Sequence, residues 1–130
     1  MDARQFLEDY ATQQRIIDSN ESESQEAQKK LKSLPAKATH DKTGQAEREL
    51  KKTLRNIIKE CDAKSAAARK KCDEIRATVE AVQDPRHQAI LKMRYLQRRP
   101  EPWERIAEQL NYSVENCYNL HRAALKKIKP

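Results

Sequence analysis

The stretch Trp103-Glu104-Arg105-Ile106-Ala107-Glu108-Gln109-Leu110-Asn111-Tyr112-Ser113-Val114-Glu115-Asn116-Cys117-Tyr118-Asn119-Leu120-His121-Arg122 holds two short helical patterns joined by a polar break. Two short helices that cross steeply constrain a few positions. A small residue is needed where they touch, and Ala107 stands there. Apolar residues must fill the angle between them, and Ile106, Leu110, Tyr112, Cys117 and Leu120 fall at those places. The residue closing the first helix must tolerate a left-handed backbone; glycine is usual, and Asn111 is the next best choice. Ser113 is a good N-cap for the second helix, which is expected to end near Ile128. Together these positions describe a helix-turn-helix, with an ordinary helical hairpin as the alternative.

Working outward, Pro102 opens the first of these helices and Arg98 to Glu101 form a connector. Asp84-Pro85 offers an N-cap followed by a residue suited to the first helical turn, so a helix is expected from about 85 to 97. Upstream, residues 2–34 and 45–82 read as two long helices, each about 45–55 Å in length. The break between them runs from Pro35 to Gly44 and includes Thr39, His40, Asp41 and Thr43 as turn formers.

Long polar helices need a partner. On the first, Ala3, Phe6, Tyr10, Gln13, Ile17, Asn20, Ser24, Ala27, Leu31 and Leu34 repeat at alternating spacings of three and four. On the second, Lys51, Leu54, Ile58, Cys61, Ser65, Ala68, Cys72, Ile75, Val79 and Val82 do the same. In an antiparallel pair the numbers of facing residues have a constant sum. Phe6 with Val79, Tyr10 with Ile75, Ile17 with Ala68, Ala27 with Ile58 and Leu31 with Leu54 each sum to 85. Asn20 would then face Ser65, and Ser24 would face Cys61, so small polar residues meet one another. The rival arrangement pairs the long helices between separate chains. Leu7, Ile16, Leu50 and Ile57 fall off this stripe and are candidates for a second contact, used for dimerisation or for docking the C-terminal part.

The expected fold is therefore all-α. A long antiparallel coiled-coil hairpin over residues 1–83, for oligomerisation or docking, precedes a small helix-turn-helix domain over residues 84–130.

Composition limits the function classes. The 130 residues include one glycine, 36% charged and 37% hydrophobic side chains, which suits solvated helices with one apolar stripe better than a sheet core. The net charge of +7 is uneven. Residues 1–44 carry seven basic and eight acidic groups, whereas residues 84–130 carry ten and five. A basic surface favours nucleic acid or an anionic membrane through counterion release. Three cysteines, an odd number, with Cys61 and Cys72 too far apart on one helix to bridge, point to a reducing, cytoplasmic setting. No apolar run approaches the roughly 20 residues of a membrane span, so no membrane partner is expected. His40, His87 and His121 lack metal-ligand spacing relative to the cysteines, and no metal or other cofactor is expected. Without a phosphate loop, a nucleophile motif or a clustered carboxylate pair, the chain reads as a non-enzyme.

Ile90-Leu91-Lys92-Met93-Arg94-Tyr95 and Trp103 to Leu110, followed by Ser113-Val114-Glu115-Asn116-Cys117 and Ala124-Leu125-Lys126-Lys127-Ile128, resemble region 4 of sigma-70-type factors. With the charged N-terminal hairpin and Asp84-Pro85-Arg86, the layout looks like the small phage-encoded, sigma-region-4-like regulators of the ArpU/RinA type. The motif likeness covers residues 84–129; over the hairpin it is one of layout alone. It implies sequence-specific DNA binding and control of late phage or lysis genes. The DNA-reading positions it implies are Ser113, Val114, Glu115, Asn116, Tyr118, Asn119 and Arg122. The sequence departs from the sigma pattern in placing Val114, Asn116 and Tyr118 where arginines are usual and His121 where glutamate is common.

By chemistry, Asn119 suits bidentate contact with adenine, Arg122 contact with guanine or phosphate, and Glu115 acceptance from cytosine. Ser113 has a competing role as helix cap, and Lys126, Lys127 and Lys129 suit phosphate contacts or solubility. Trp103 is expected to pack against Tyr95 or Leu96 rather than to stack on a base. The expected partner is double-stranded DNA, with a homodimer bringing two copies onto adjacent half-sites. Two alternatives stay open: a sigma-like module that binds RNA polymerase or another factor, and a DNA-packaging recognition subunit.

Overall fold

Helix boundaries follow the punctuation of the chain. The computed structural model describes residues 2–34 and 44–130. Among them there are five helices and no strand: α1 (Ala3–Ser33), α2 (Gln45–Glu80), α3 (Pro85–Tyr95), α4 (Trp103–Leu110) and α5 (Val114–Leu125). The protein is thus all-α over its described residues. The turn expected at Pro35, Thr39, His40, Asp41 and Thr43 lies outside them.

Asp2 starts α1 by accepting from the Gln5 amide at 2.8 Å, while Gln5 reaches back to the Asp2 amide at 3.2 Å. This reciprocal pair satisfies two donors that the first turn leaves open. Gly44 precedes α2 at φ +70°, a left-handed conformation in which a side chain would be strained. Asp84 caps α3: its carboxylate accepts from the Arg86 amide at 2.9 Å, with Pro85 occupying the first turn. The hydrogen-bonded Arg86 guanidinium, and after it that amide bond, hold the Asp84 carboxyl below the usual carboxylate range.

Burial on the long helices follows the apolar stripe. On α1, Tyr10, Gln13, Ile17, Ser24 and Ala27 are buried. On α2, so are Leu54, Cys61, Ser65, Ala68, Cys72, Ile75 and Val79, and Val82 just after it. At the start of α1 the stripe shifts: Phe6 is half-buried, whereas Leu7 is completely buried. Ile16 and Leu50 are exposed and Ile57 is half-buried.

The chain gathers into two compact units, each drawing on both long helices. One comprises Ile16–Ala68. In it the Ser24 hydroxyl donates to the Asp62 carboxylate at 3.1 Å, and a shallow cleft brings Ala27 and Lys30 beside Leu54 and Ile57. Later positions on α1 meet earlier positions on α2, so the two segments run in opposite directions there.

The other unit comprises Met1–Arg15 and Arg69–Pro130. Its core holds Leu7, Val79, Ile90, Leu91, Ile106 and Cys117, all fully buried. Burying a side chain of the Leu or Ile type stabilises by about 1.5–3 kcal/mol, so this cluster is the main adhesive of the unit. Arg76 donates to the Tyr10 hydroxyl at 2.5 Å and lies over its ring, 5.6 Å from the centroid. Cys72 donates to the Tyr10 carbonyl at 3.8 Å. Cys61, Cys72 and Cys117 are all free and buried, and burial pushes each thiol up. Among the described residues, no helix is long and apolar enough to cross a membrane.

Candidate nucleic-acid interface

The surface of interest is built by α4, the turn after it, and α5. Asn111 closes α4 at φ 58°, ψ 40°. Its amide donates to the Glu108 carbonyl at 3.3 Å, and the Tyr112 amide donates to the Ala107 carbonyl at 3.0 Å. This paired arrangement is a Schellman motif, which ends a helix and satisfies its last carbonyls at once. Two residues later, Ser113 begins α5. Its hydroxyl accepts from the Asn116 amide at 3.0 Å, and its carbonyl accepts from the Cys117 amide at 3.0 Å. Ser113 therefore acts as a helix cap, and its Oγ is already engaged.

Burial then divides α5 lengthwise. Cys117, His121 and Ala124 are buried, as is Ile128 beyond its end, at the three-and-four spacing of one helix face. Ile106 and Ala107 of α4 are buried, while Leu110, Tyr112 and Leu120 are half-buried. The opposite face carries Glu115, Asn116, Tyr118, Asn119 and Arg122, all exposed, with Val114 half-buried at its edge. Lys126 and Lys127 follow on the exposed surface. Arg122 donates to the Asn119 carbonyl oxygen at 2.5 Å, tying these two exposed side chains together. A carboxamide oxygen has two lone pairs, so this bond leaves Asn119 able to accept once more while its NH₂ donates.

Beneath α5 lies an aromatic cluster. The Tyr95 hydroxyl and His121 Nε2 share a hydrogen bond of 2.5 Å, and their rings stack with centroids 5.6 Å apart. Trp103 meets His121 edge-on at 4.8 Å and Tyr118 at 5.2 Å. Where Tyr95 or Leu96 of the preceding segment was expected beside Trp103, its ring partners are thus on α5. The Arg94 guanidinium sits 4.8 Å over the indole and donates to the Glu101 carbonyl at 2.6 Å. Burial, helped by the charges of Arg4 and Arg94, pushes the His121 imidazole down to about 4, so it is neutral at physiological pH. A charged histidine at this position would be unpaired beside two arginines.

Residues 53–129 match a family model described as "Protein of unknown function (DUF1492)", more than half of the chain. The chain belongs to this family. The DUF1492 match contains α3, α4 and α5 whole, together with α2 from Thr53 onward, and hence the entire surface built on α5. No curated protein and no solved structure matches the chain. Within the DUF1492 segment, sequence reading gives Arg94 no role of its own, Tyr95 only as a packing neighbour of Trp103, and His121 only as a departure from the sigma pattern; all three lie below the α5 surface. The closest signal is the aromatic and basic density of Arg94, Tyr95 and Trp103 around the Arg98–Glu101 connector.

Proposed function

We propose that this protein is a sequence-specific transcription regulator that reads the major groove of double-stranded DNA with α5. The observation that carries the reading is the division of that helix. A capped, rigidly terminated turn precedes it, its apolar face is buried, and its outward face presents Glu115, Asn116, Tyr118, Asn119 and Arg122. A helix entering the major groove needs such a row of base-matching polar side chains on a firmly packed support. In this reading residues 84–130 form a helix-turn-helix domain of sigma-70 region 4 type. Residues 1–83 form an antiparallel coiled-coil hairpin for docking or dimerisation, the layout of the phage-encoded regulators named above. Lys126 and Lys127 then hold phosphates.

Fluorescence anisotropy on pooled random duplexes across a salt series, followed by selection of tight binders, tests this. Salt-sensitive binding that enriches one sequence is expected. Asn119→Ala and Arg122→Ala should each cost about 1–3 kcal/mol on that sequence and blunt discrimination at particular base pairs. Absence of duplex binding even at low salt overturns the reading in favour of docking on RNA polymerase or another protein. A ring-sized oligomer in solution points instead to a DNA-packaging recognition subunit.

A further inference from the structure

The unit that contains α5 carries a second basic surface. Two clefts flank the connection between α3 and α4. One is lined by Tyr10, Gln14, Arg76, Gln97, Arg98 and Arg99, and the other by Arg4, Glu8, Arg15, Arg94, Gln97 and Pro100 among others. Gln97 borders both, so the two clefts adjoin, and their arginines together are termed the strip. Folding gathers its six arginines from the start of α1, the end of α2 and the residues after Lys92. A single carboxylate, Glu8, stands among them, paired with Arg4 at 3.3 Å.

The residue type is selective. Of the 27 basic residues twelve are arginines and fifteen are lysines; six of the arginines line the strip and none of the lysines does. Plain solubility would draw on both. The guanidinium fork matches phosphate oxygens two at a time, which an ammonium cannot do. Side chains of the strip are held in place before any ligand arrives. Arg76 is bonded to the Tyr10 hydroxyl, and Arg94 is bonded to the Glu101 carbonyl beneath its stack on Trp103. Immobilising a long side chain beforehand lowers the cost of binding. The strip also begins where the α5 face ends, because Arg94 covers Trp103 and Trp103 touches Tyr118.

We propose that this arginine strip binds the phosphate backbone of the double helix beside the site read by α5. The inference rests on the DNA-binding reading and extends the contact surface to α1 and α2. Backbone contacts set affinity and register without choosing bases.

The test compares the full chain with R98Q/R99Q and R76Q, by anisotropy on the selected duplex, on a scrambled duplex and on poly-glutamate, over a salt series. Each phosphate contact contributes about 0.9 to the slope of log K against log salt. R98Q/R99Q should lower that slope by about 2 and weaken both duplexes by the same factor, while the selected sequence stays the same. R76Q should lower it by about 1. R98K/R99K, which keeps the charge, should restore most of the slope, and thermal melts should match the parent. A slope unchanged in R98Q/R99Q overturns the strip while leaving the α5 reading intact. So does a changed sequence preference, or a loss confined to poly-glutamate, which would assign the clefts to an acidic protein. A parent that binds no duplex overturns both.

Discussion

Asn111 holds a left-handed backbone at φ 58°, the single non-glycine residue with positive φ among those described. That conformation costs a typical L-residue roughly 1–2 kcal/mol, and less for asparagine, whose short polar side chain tolerates it. Asn111→Val should therefore destabilise the protein by about 1–2 kcal/mol, and Asn111→Gly should leave stability equal or slightly higher, as read by urea melts. Equal loss in both variants would show that the side chain, and not the backbone, matters there. His121 makes a prediction of opposite character, in pH. Its folded value of about 4 lies below its ordinary 6.5, so between those values the unfolded chain binds the proton and the folded protein does not. Stability from this group is complete above pH 6.5 and declines as pH falls toward 4. Carboxylates titrate in the same region, so the informative quantity is a difference. His121→Gln, which can still accept from the Tyr95 hydroxyl, should lose less stability than the parent between pH 6.5 and 4. Parallel melting curves for the two proteins would contradict the assignment.

At the scale of elements, the contrast between Phe6 and Leu7 is the most informative. The stripe of three-and-four spacings selects Phe6 and passes over Leu7, yet Leu7 is fully buried and Phe6 only in part. Leu7→Ala should cost about 2–5 kcal/mol, and Phe6→Ala clearly less, in chemical denaturation. The reverse ranking would restore the stripe as the sole organiser of α1. The reason is that periodicity reports a helix's pairing with one neighbour. Leu7 lies in the part of α1 that belongs to one compact unit with α3, α4 and α5, where its neighbours Arg4 and Glu8 line a cleft with Arg94 and Tyr95. Three helix boundaries were more legible, although α3 and α5 end at Tyr95 and Leu125, short of the expected 97 and Ile128. Pro85 behind Asp84, Asn111 and Ser113 are local signals, and each acts through hydrogen bonds to backbone within three or four residues. The outward row of α5 was readable for the same reason, since one helix face follows from spacing alone. The contacts of Trp103 and the burial of His121 were not, because they depend on how α3, α4 and α5 pack, which no spacing along one helix encodes.

For the molecule as a whole, charge and cohesion are distributed differently. The excess positive charge is greatest in residues 84–130, whereas the compact unit that holds them also takes in Met1–Arg15 and the chain from Arg69. A fragment of residues 84–130 keeps the charge and the outer face of α5 but loses Leu7, Ile75 and Val79, all nearly or fully buried in the full chain. Fewer than 50 residues bury too little apolar area for a robust fold. The fragment should melt at lower temperature and with less cooperativity than the parent, followed by circular dichroism; a fragment that melts as sharply and as high would show that α3 to α5 stand alone.

The protein's single tryptophan lies between the Arg94 guanidinium, the His121 imidazole and the Tyr118 ring. An indole's emission responds to charge and solvent within a few ångströms, and here that radius spans α3 and α5 as well as its own helix. The chain thus carries an intrinsic optical probe at the junction of its three short helices. Any event that tilts α5, draws Arg94 away or lets water under the helix will change the colour or brightness of Trp103 with no label attached.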